Sequence, residues 1–194
     1  VVATDDVRIQ KICEKQNINT LMTSKKCLTG TDRIAEVAKK IKRDFYINVQ
    51  GDEPICNPAD IKKIINYAKR FPNQVINGYT DIKEKKQFYS PSIPKAVFDK
   101  KENLLYMSRS PIPSNKKQQF VKAWRQVCIY SFPYKSLKIY TSSKKKTTLE
   151  SIEDLESNRF LELGYQVKML KMSNKSVAVD TKEDLAKVRK LVKS

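Results

Sequence analysis

The chain opens by alternating short apolar runs with stretches of helical periodicity. Val1–Thr4, Thr20–Thr23 and Phe45–Val49 are short and rich in β-branched or aromatic residues, which predicts strands. The segments between them, 5–16 and 29–41, carry apolar residues at helical spacing. Strands joined through a helix lie parallel in one sheet, because the helix carries the chain back to the end at which the first strand began. The sequence therefore predicts an α/β fold built on a parallel sheet.

The remainder of the chain continues this pattern and adds a hairpin. Further strands are predicted at 75–79, 126–130 and 165–170, a hairpin at 95–107, and helices at 58–71, 83–87, 148–163 and from 182 onward. No internal repeat, long linker or second core boundary interrupts the pattern, so we expect one domain across residues 1–194.

Two of the predicted helices have a regular pattern of side chains along one face, apolar in one helix and charged in the other. In the helix at 5–16, Val7, Ile9, Ile12 and Cys13 fall roughly on one side, which is typical of a face turned toward a core.

In the helix at 148–163, charged residues recur at intervals of three. These residues are Glu150, Glu153, Glu156 and Arg159. Such spacing is typical of a salt-bridged stripe on an outer surface, but it also suits a helix face that lines an active-site cleft. The sequence leaves both interpretations open.

The chain carries a formal net charge of +18 at pH 7, which raises nucleic acid as a partner. Most of its basic residues are lysines spread in pairs along helix faces and turns, and aromatic residues do not interleave with them as stacking platforms. This distribution favours a solvated, lysine-rich surface over a nucleic-acid interface. The positive field still attracts an anionic substrate such as a nucleotide.

Histidine is absent from the sequence, which excludes histidine-based triads, histidine metal sites and imidazole bases within the chain. Chemistry must therefore use carboxylates, lysine, arginine and a bound metal. Cys13, Cys27, Cys56 and Cys128 lack the spacing of a zinc site, which favours reduced, packed thiols. The sequence contains neither an apolar run of about 18 residues nor a signal-peptide pattern, so we expect a cytoplasmic protein without membrane association.

The segment Asn48–Pro54 is the strongest candidate for a ligand site. It follows the predicted strand Phe45–Val49, so residues 50–53 lie at the carboxyl end of a strand, where open α/β sheets bind ligands. Gly51 lets the backbone approach a ligand, and Asp52 offers a hard oxygen where a Mg²⁺-bound phosphate can sit. The alternative is an ordinary surface turn, in which Gly-Asp is common.

Two other positions have side chains or backbone groups suited to binding. The turn Thr29-Gly30-Thr31 opens a predicted helix and can present N–H groups to a nucleotide. Arg33 lies in the first turn of that helix, where the dipole disfavours a cation, which indicates either a ligand or a surface ion pair. Arg109 follows a predicted strand and can hold a carboxylate through two hydrogen bonds, unless it lies in solvent.

Six motifs occur in the order and spacing of one family. They are Val1–Asp6, Met22–Ser24, Gly30–Glu36, Asn48–Pro54, Leu105–Arg109 with Ile112-Pro113, and Val179–Leu185. The chain resembles the CMP-Kdo synthetases, the 3-deoxy-manno-octulosonate (Kdo) cytidylyltransferases of bacterial lipopolysaccharide assembly. The resemblance runs from Val1 to about Lys190 and is looser between Ser114 and Thr148.

The resemblance implies a Rossmann-like nucleotidyltransferase fold, with a mostly parallel central sheet flanked by helices and a smaller, hairpin-containing dimerisation region. It implies a homodimer that uses CTP, an acidic sugar and Mg²⁺, and that produces a CMP-sugar and pyrophosphate.

The resemblance also assigns site residues. Asp52 and Asp180 would be catalytic and would coordinate Mg²⁺. The nucleotide would lie against Thr29, Gly30, Thr31, Arg33 and Gln50. The sugar acid would be lined by Gln50, Arg109, Gln126, Glu156 and Ser157.

The chain departs from the family's pattern at the sugar positions. At these positions Gln126 stands where a histidine is usual and Ser157 where a glutamine is usual. Outside them, Cys27 stands where a histidine usually precedes the Gly-Thr turn. The alternatives are therefore CMP transfer to another acid, such as an amino-sugar acid or a phosphorylated acid, or a non-catalytic module that binds nucleotides or nucleic acid. The family's opening strand and basic phosphate loop precede the point where this chain begins, so we expect the chain alone to bind CTP poorly.

Overall fold

The computed structural model describes residues 1–176, 178–179 and 181–193. Its strands are β1 (Val2–Thr4), β2 (Thr20–Met22), β3 (Phe45–Val49), β4 (Val75–Asp81), β5 (Lys95–Phe98), β6 (Leu104–Ser108), β7 (Trp124–Pro133) and β8 (Val167–Lys171). Its helices are α1 (Val7–Lys15), α2 (Gly30–Lys40), α3 (Pro58–Arg70), α4 (Lys85–Tyr89), α5 (Tyr134–Tyr140), α6 (Thr148–Glu153), α7 (Glu156–Glu162) and α8 (Lys182–Lys193). Within these residues, no helix has the length and apolar character needed to cross a membrane.

The strands form two sheets. β1 and β2 pair in parallel, as the strand–helix–strand pattern predicts. A six-stranded sheet has the order β6-β5-β7-β4-β8, with β3 also paired to β7. In this sheet β3, β4, β5 and β8 run in one direction, whereas β6 and β7 run in the other. The predicted α/β fold with a helix-flanked sheet is confirmed, although most hydrogen-bonded pairs are antiparallel because the reversed β7 lies between the other strands.

One edge of β7 is left open in the middle. Its C-terminal half pairs with β3, whereas near its start only Arg125 pairs with β5. The stretch 126–128 between them has no strand partner on this edge in the described part of the chain. Instead the loop after β3 approaches it, and the Gln50 N–H donates to the Cys128 carbonyl at 3.2 Å. This interruption creates space at the carboxyl end of β3.

Helices cover both faces of the six-stranded sheet. On one face, Phe132 of β7 belongs to a buried apolar cluster with residues of α2, α5 and α7. On the other face, Ile129 of β7 packs in a second cluster with Ile64 and Ala68 of α3. Because alternate side chains of a strand point to opposite faces, β7 contributes to both cores.

The predicted helix at 148–163 is two helices. Asp154 adopts a left-handed conformation with a φ of 52°, which ends α6 and redirects the chain before α7 begins. The predicted stripe of charges is therefore divided between two helices. Its interpretation as an outer stripe is wrong, because Glu150 and Arg159 are completely buried.

The predicted apolar face of α1 is mostly exposed. Cys13 is buried, but Val7, Ile9 and Ile12 are between 45% and 64% exposed, so the predicted burial of these three is wrong. The physical reason is that α1 packs on β1 and β2, whose three-residue strands cover only a narrow strip of the helix.

A buried cation joins four helices. The Arg159 guanidinium donates to both carboxylate oxygens of Glu150, at 2.5 and 2.7 Å, and to Asp32 Oδ1 at 3.2 Å. It also stacks on the Tyr140 ring at 3.9 Å from the centroid. Burial is the largest single effect and acts to lower the pKa of Arg159, but the hydrogen bonds to Glu150 and the charge interactions with Tyr140, Asp32 and Glu150 together raise the pKa above its ordinary value. These contacts connect α7 to α6, α5 and α2.

Replacing Arg159 with methionine should lower the free energy of unfolding by about 3–5 kcal/mol, because the Glu150 carboxylate would remain buried without its cation. Urea unfolding followed by circular dichroism measures this change. The matched control is Arg8→Met, which removes a 2.5 Å ion pair with Asp6 from a side chain that is 90% exposed. We expect little change in the control. Similar losses in both variants would contradict the role of the buried pair.

Candidate functional site

A cavity of about 390 Å³ lies beside β7 at the carboxyl end of β3. Its walls come from the loop after β3, the turn before β5, the end of β6, the middle of β7 and the junction of α6 with α7. Of the residues predicted from the sequence, it brings together Gln50, Asp52, Arg109, Gln126 and Glu156. The loop singled out in the sequence is a turn that borders this cavity, and its role in binding a ligand stays a prediction.

Backbone hydrogen bonds fix the loop that carries Asp52. The Glu53 N–H closes a turn onto the Gln50 carbonyl at 3.2 Å. The Val179 N–H donates to the Asp52 carbonyl at 2.8 Å, which brings the chain after β8 to this loop. Asp180, the predicted partner of Asp52, lies outside the described residues.

Glu53 has a buried carboxylate oxygen that no donor satisfies. The side chain is 4% exposed although it lines the cavity. Oε1 accepts a hydrogen bond from the Cys128 N–H at 2.7 Å, whereas Oε2 has no hydrogen-bond partner among the described residues. Burial raises the pKa of Glu53, against the opposing effects of the Cys128 N–H and of Arg125. An unsatisfied buried oxygen of this kind is suited to a donor or cation supplied by a ligand.

The carboxylates of the loop after β3 are suitable ligands for a hard divalent cation. Asp52 and Glu53 offer carboxylate oxygens to the same cavity, and Mg²⁺ prefers such ligands. Within residues 1–176, 178–179 and 181–193, no group of three or more His, Cys, Asp or Glu side chains converges as a metal site. The assignment of Asp52 and Asp180 as magnesium ligands stays a prediction.

Glu156 is the first residue of α7, and its carboxylate lies at the N-terminus of α2. Its Oε1 accepts from the Gly30 N–H at 3.0 Å and from Gln50 Nε2 at 3.3 Å, while Oε2 accepts from the Thr31 N–H at 2.9 Å and from the Thr31 hydroxyl. The positive end of the helix dipole favours a carboxylate there. Burial nevertheless raises the pKa of Glu156, against the effect of the Thr31 and Gly30 hydrogen bonds. A side chain at Gly30 would place its Cβ only 3.2 Å from Glu156 Oε1, so glycine permits this approach.

The amide of Gln126 has a defined orientation. Asn77 donates through Nδ2 to the carbonyls of Val127 and Ile129, both at 3.1 Å, so its Oδ1 can only accept. Gln126 Nε2 therefore donates to Asn77 Oδ1 at 2.9 Å, and also to the Tyr130 hydroxyl at 2.7 Å. With both N–H groups engaged, Gln126 offers the cavity its carbonyl oxygen.

Ser157 lies beneath the cavity rather than in its wall. The side chain is 2% exposed, and its hydroxyl lies 3.5 Å from Asn77 Oδ1. The first turn of α7 thus directs Ser157 toward β4, and Glu156 toward the cavity. Ser157 can act on a ligand only through Asn77 and Gln126.

Both arginines of the cavity are held by backbone carbonyls. Arg109 donates through Nε to the Glu153 carbonyl at 2.7 Å and through Nη1 to the Pro91 carbonyl at 3.0 Å. Arg125 donates to the Ser176 carbonyl at 3.0 Å, and burial lowers its pKa although Glu53 opposes the change. Arg109 Nη2 also lies 4.0 Å from Asp154 Oδ2, a long ion pair with another residue of the cavity. The carbonyl acceptors orient both guanidinium groups, and each group can interact with an anion in the cavity.

Four of the predicted nucleotide contacts, Thr29, Gly30, Thr31 and Arg33, lie outside the cavity wall, and the Gly30 and Thr31 N–H groups donate to Glu156. Thr29 caps α2, and its hydroxyl lies 3.1 Å from the Tyr140 hydroxyl. Arg33 forms an ion pair with Asp5 at 3.3 Å and donates to the Thr23 hydroxyl. The ion pair given as an alternative for Arg33 is present, and its contact with a nucleotide stays a prediction.

Three charged residues line the cavity without having been predicted as site residues, namely Glu53, Arg125 and Asp154. Glu53 and Arg125 each adjoin a predicted residue, Asp52 and Gln126, which is the signal that could have identified them. Asp154 had no such signal, because it lies at a helix break that the regular periodicity hides.

Comparison with known proteins was made against a family model, curated sequences and solved structures. The model of a family described as cytidylyltransferase matches residues 1–181. The chain is 35% identical over 198 residues to the 3-deoxy-manno-octulosonate cytidylyltransferase of Chlorobaculum tepidum, covering 98% of this chain and 79% of that protein. It is 33% identical over 198 residues to the mitochondrial 3-deoxy-manno-octulosonate cytidylyltransferase of Arabidopsis thaliana, covering 100% of this chain and 68% of that protein.

Among solved structures, the chain is similar to CMP:2-keto-3-deoxy-manno-octonic acid synthetase complexed with CTP. The TM-score is 0.89 at 31% identity, and the match covers 99% of this chain and 79% of that one. The recognised resemblance and the nucleotidyltransferase fold are both confirmed.

Replacing Gln126 with glutamate should destabilise the fold by about 1–3 kcal/mol, because a carboxylate cannot donate and Asn77 Oδ1 would lose its hydrogen bond in a buried position. The variant keeps the shape of the side chain, so the loss measures hydrogen bonding. Thermal and urea unfolding at pH 7 test it. The same substitution at the exposed Gln119 is the control and should be close to neutral. An unchanged stability of Gln126→Glu would show that the amide orientation is wrong.

Proposed function

The chain belongs to the cytidylyltransferase family, and we propose that it transfers CMP from CTP to 3-deoxy-manno-octulosonate or a closely related sugar acid, releasing pyrophosphate. The observation that carries this proposal is the convergence of Gln50, Asp52, Arg109, Gln126 and Glu156 on one cavity. These residues are far apart in the sequence: Gln50 and Glu156, which share a hydrogen bond, are separated by 106 positions. The names of the relatives, at 33% and 35% identity, support CTP and a sugar acid as substrates.

The reaction requires two anions, CTP and the sugar acid, to be bound together. The attacking hydroxyl must lie in line with the bond that breaks between the α- and β-phosphates. A hydroxyl oxygen of the acid forms a bond to the α-phosphorus of CTP, the bond between the α- and β-phosphates breaks, and pyrophosphate leaves with the electron pair. The attacking hydroxyl loses its proton. Such a transfer depends mainly on positioning and on charge stabilisation, so the absence of histidine is no obstacle.

Individual residues of the cavity suit these tasks. Arg109 and Arg125 present guanidinium groups to the acceptor's carboxylate. Gln126 presents a carbonyl oxygen to one of the acceptor's hydroxyl groups. Mg²⁺, held by Asp52 and, by the family resemblance, Asp180, would neutralise the phosphates of CTP.

We extend the proposal to the assembly and location of the protein. The family resemblance supports a homodimer in which the β5–β6 hairpin region takes part, and a role in bacterial surface polysaccharide synthesis. It supports the cytoplasm as the location, although the Arabidopsis relative is named as mitochondrial.

The proposed activity predicts that pyrophosphate is released when CTP, Mg²⁺ and 3-deoxy-manno-octulosonate are supplied together. The assay uses the protein as its gene encodes it, with an amino-sugar acid and a phosphorylated acid as alternative acceptors. Release with 3-deoxy-manno-octulosonate supports the proposal, and release only with another acid would move the substrate. No release with any acid, together with no Mg²⁺-dependent CTP binding by calorimetry, would overturn it.

Asp52→Asn should abolish turnover and leave the fold intact, because an amide oxygen is a weaker ligand for Mg²⁺ and carries no charge. Pyrophosphate release and the Mg²⁺-dependent rise in thermal stability with CTP are both measured. The control is Asp44→Asn, an exposed aspartate immediately before β3, at the opposite end of that strand from Asp52. Retained activity in Asp52→Asn would contradict the magnesium assignment.

A further inference from the structure

Lys95 is a completely buried lysine at the start of β5. Its ammonium donates to the carbonyls of Ser90 at 2.9 Å, Ile93 at 2.7 Å and Arg109 at 2.5 Å. Three acceptors match the three N–H groups of an ammonium. No carboxylate lies within ion-pair distance of Lys95 in the described part of the chain, since its hydrogen bonds go to backbone oxygens alone.

The three carbonyls belong to two separate walls of the cavity. Ser90 and Ile93 are the ends of a turn that the Ile93 N–H closes onto the Ser90 carbonyl at 3.3 Å. The second half of this turn, Ser92 and Ile93, lines the cavity together with Pro94, which follows it. The third carbonyl belongs to Arg109, whose side chain lines the cavity from the end of β6. Lys95 thus ties the turn to the strand end that carries the arginine.

The Arg109 side chain also binds the turn 90–93. Its Nη1 donates to the Pro91 carbonyl, so the turn 90–93 is held between two cations. Arg109 also acts to lower the pKa of Lys95, in addition to the larger effect of burial, while Glu153 opposes both and the pKa falls to about 8. Two neighbouring cations repel each other, so this arrangement is costly as a device for stability alone.

An apolar side chain at position 95 would avoid burying a charge, but it would remove a donor from three backbone carbonyls. Replacing buried charges with apolar groups of similar size is often neutral or stabilising, and Lys95 has no anionic partner whose charge would be left behind. Every group that Lys95 binds is part of the cavity's border or closes the turn that forms it. What the cation adds at this position is therefore a link between the turn and the backbone of Arg109, both at the cavity's border.

We propose that Lys95 is a positioning residue for the acceptor substrate: it fixes the turn 90–93 against the backbone of Arg109 and thereby holds the Arg109 guanidinium where the carboxylate of an acidic acceptor binds. This inference rests on the proposed transfer of CMP to a sugar acid. Lys95 itself is shielded from the cavity by its own carbonyl partners, so it acts through Arg109.

The test compares steady-state kinetics of Lys95→Met, Arg109→Met and the double variant. Lys95→Met should raise the KM for the acid about tenfold and leave the KM for CTP within about twofold, because a guanidinium displaced by an ångström loses much of its contact. The double variant should have the KM of Arg109→Met alone, since Lys95 acts through that residue. Multiplicative effects in the double variant, or equal changes in both KM values, would overturn the proposal.

Two further variants serve as a matched control and as a substitute if Lys95→Met does not fold. Lys63→Met removes an exposed lysine that also donates to a backbone carbonyl, that of Lys171, and it should leave both KM values unchanged. If Lys95→Met does not fold, Lys95→Arg replaces it. A planar guanidinium keeps the charge but cannot direct N–H groups to three carbonyls around one point, so the same selective rise in the acid's KM is expected.

A second readout separates this inference from the proposed function. In ¹⁵N-arginine-labelled protein, the Arg109 Nε–H donates to the Glu153 carbonyl at 2.7 Å and should exchange slowly with solvent. Its resonance is assigned by its loss in Arg109→Met. Faster exchange in Lys95→Met supports the positioning role even if no acid is turned over, whereas unchanged exchange would overturn it whatever the activity.

Discussion

The buried pairing of Arg159 with Glu150 is the interaction on which the helical wall of the cavity depends. Glu150 belongs to α6 and Arg159 to α7, so their two hydrogen bonds fix these short helices across the break at Asp154. Arg159 also reaches Asp32 of α2. Glu156 lies one turn before Arg159 on α7, and the same contacts therefore hold its carboxylate at the N-terminus of α2. A charge that is buried for structural reasons thus determines where a cavity residue lies.

The electrostatics of the cavity make its proposed chemistry dependent on added positive charge. Asp52, Glu53, Asp154 and Glu156 line it, and the raised pKa values of Glu53 and Glu156 show that two of these carboxylates are held in surroundings that disfavour their charge. Arg109 and Arg125 line the same cavity and offset part of this charge, but the four carboxylates outnumber them, so an accompanying cation would favour the binding of a nucleoside triphosphate. The net charge of +18 draws anions toward the protein from a distance, but it cannot replace a cation at the phosphates.

The parts of the structure that follow local rules could be predicted from the sequence, and those that follow tertiary contacts could not. The strand Phe45–Val49 was predicted with its observed bounds, because its apolar run is short and bounded by turn residues. Residues 137–140, which are not among the predicted helices, are helical in α5, since Leu137 and Tyr140 pack into the core although the segment lacks a side-chain cap. The break at Asp154 was missed, because the periodicity continues through it and the residue that adopts the left-handed conformation is not a glycine. Among site residues, the loop at Asp52 was predictable from its place after a strand, whereas Lys95 gave no signal because its partners are all backbone atoms.

The two departures from the family's sugar positions are physically one change. Gln126 donates to Asn77 Oδ1, and the hydroxyl of Ser157 meets the same oxygen. Because two backbone carbonyls fix the Asn77 amide, that oxygen can only accept, and both residues must turn a donor toward it. Gln126 then has an acceptor left for the cavity, and a carboxylate at that place would be repelled, whereas a hydroxyl or ammonium group would be bound. Under the proposed function, the anionic end of the acceptor would therefore lie toward Arg109 or Arg125, so that the orientation of one buried amide would set the orientation of the bound substrate.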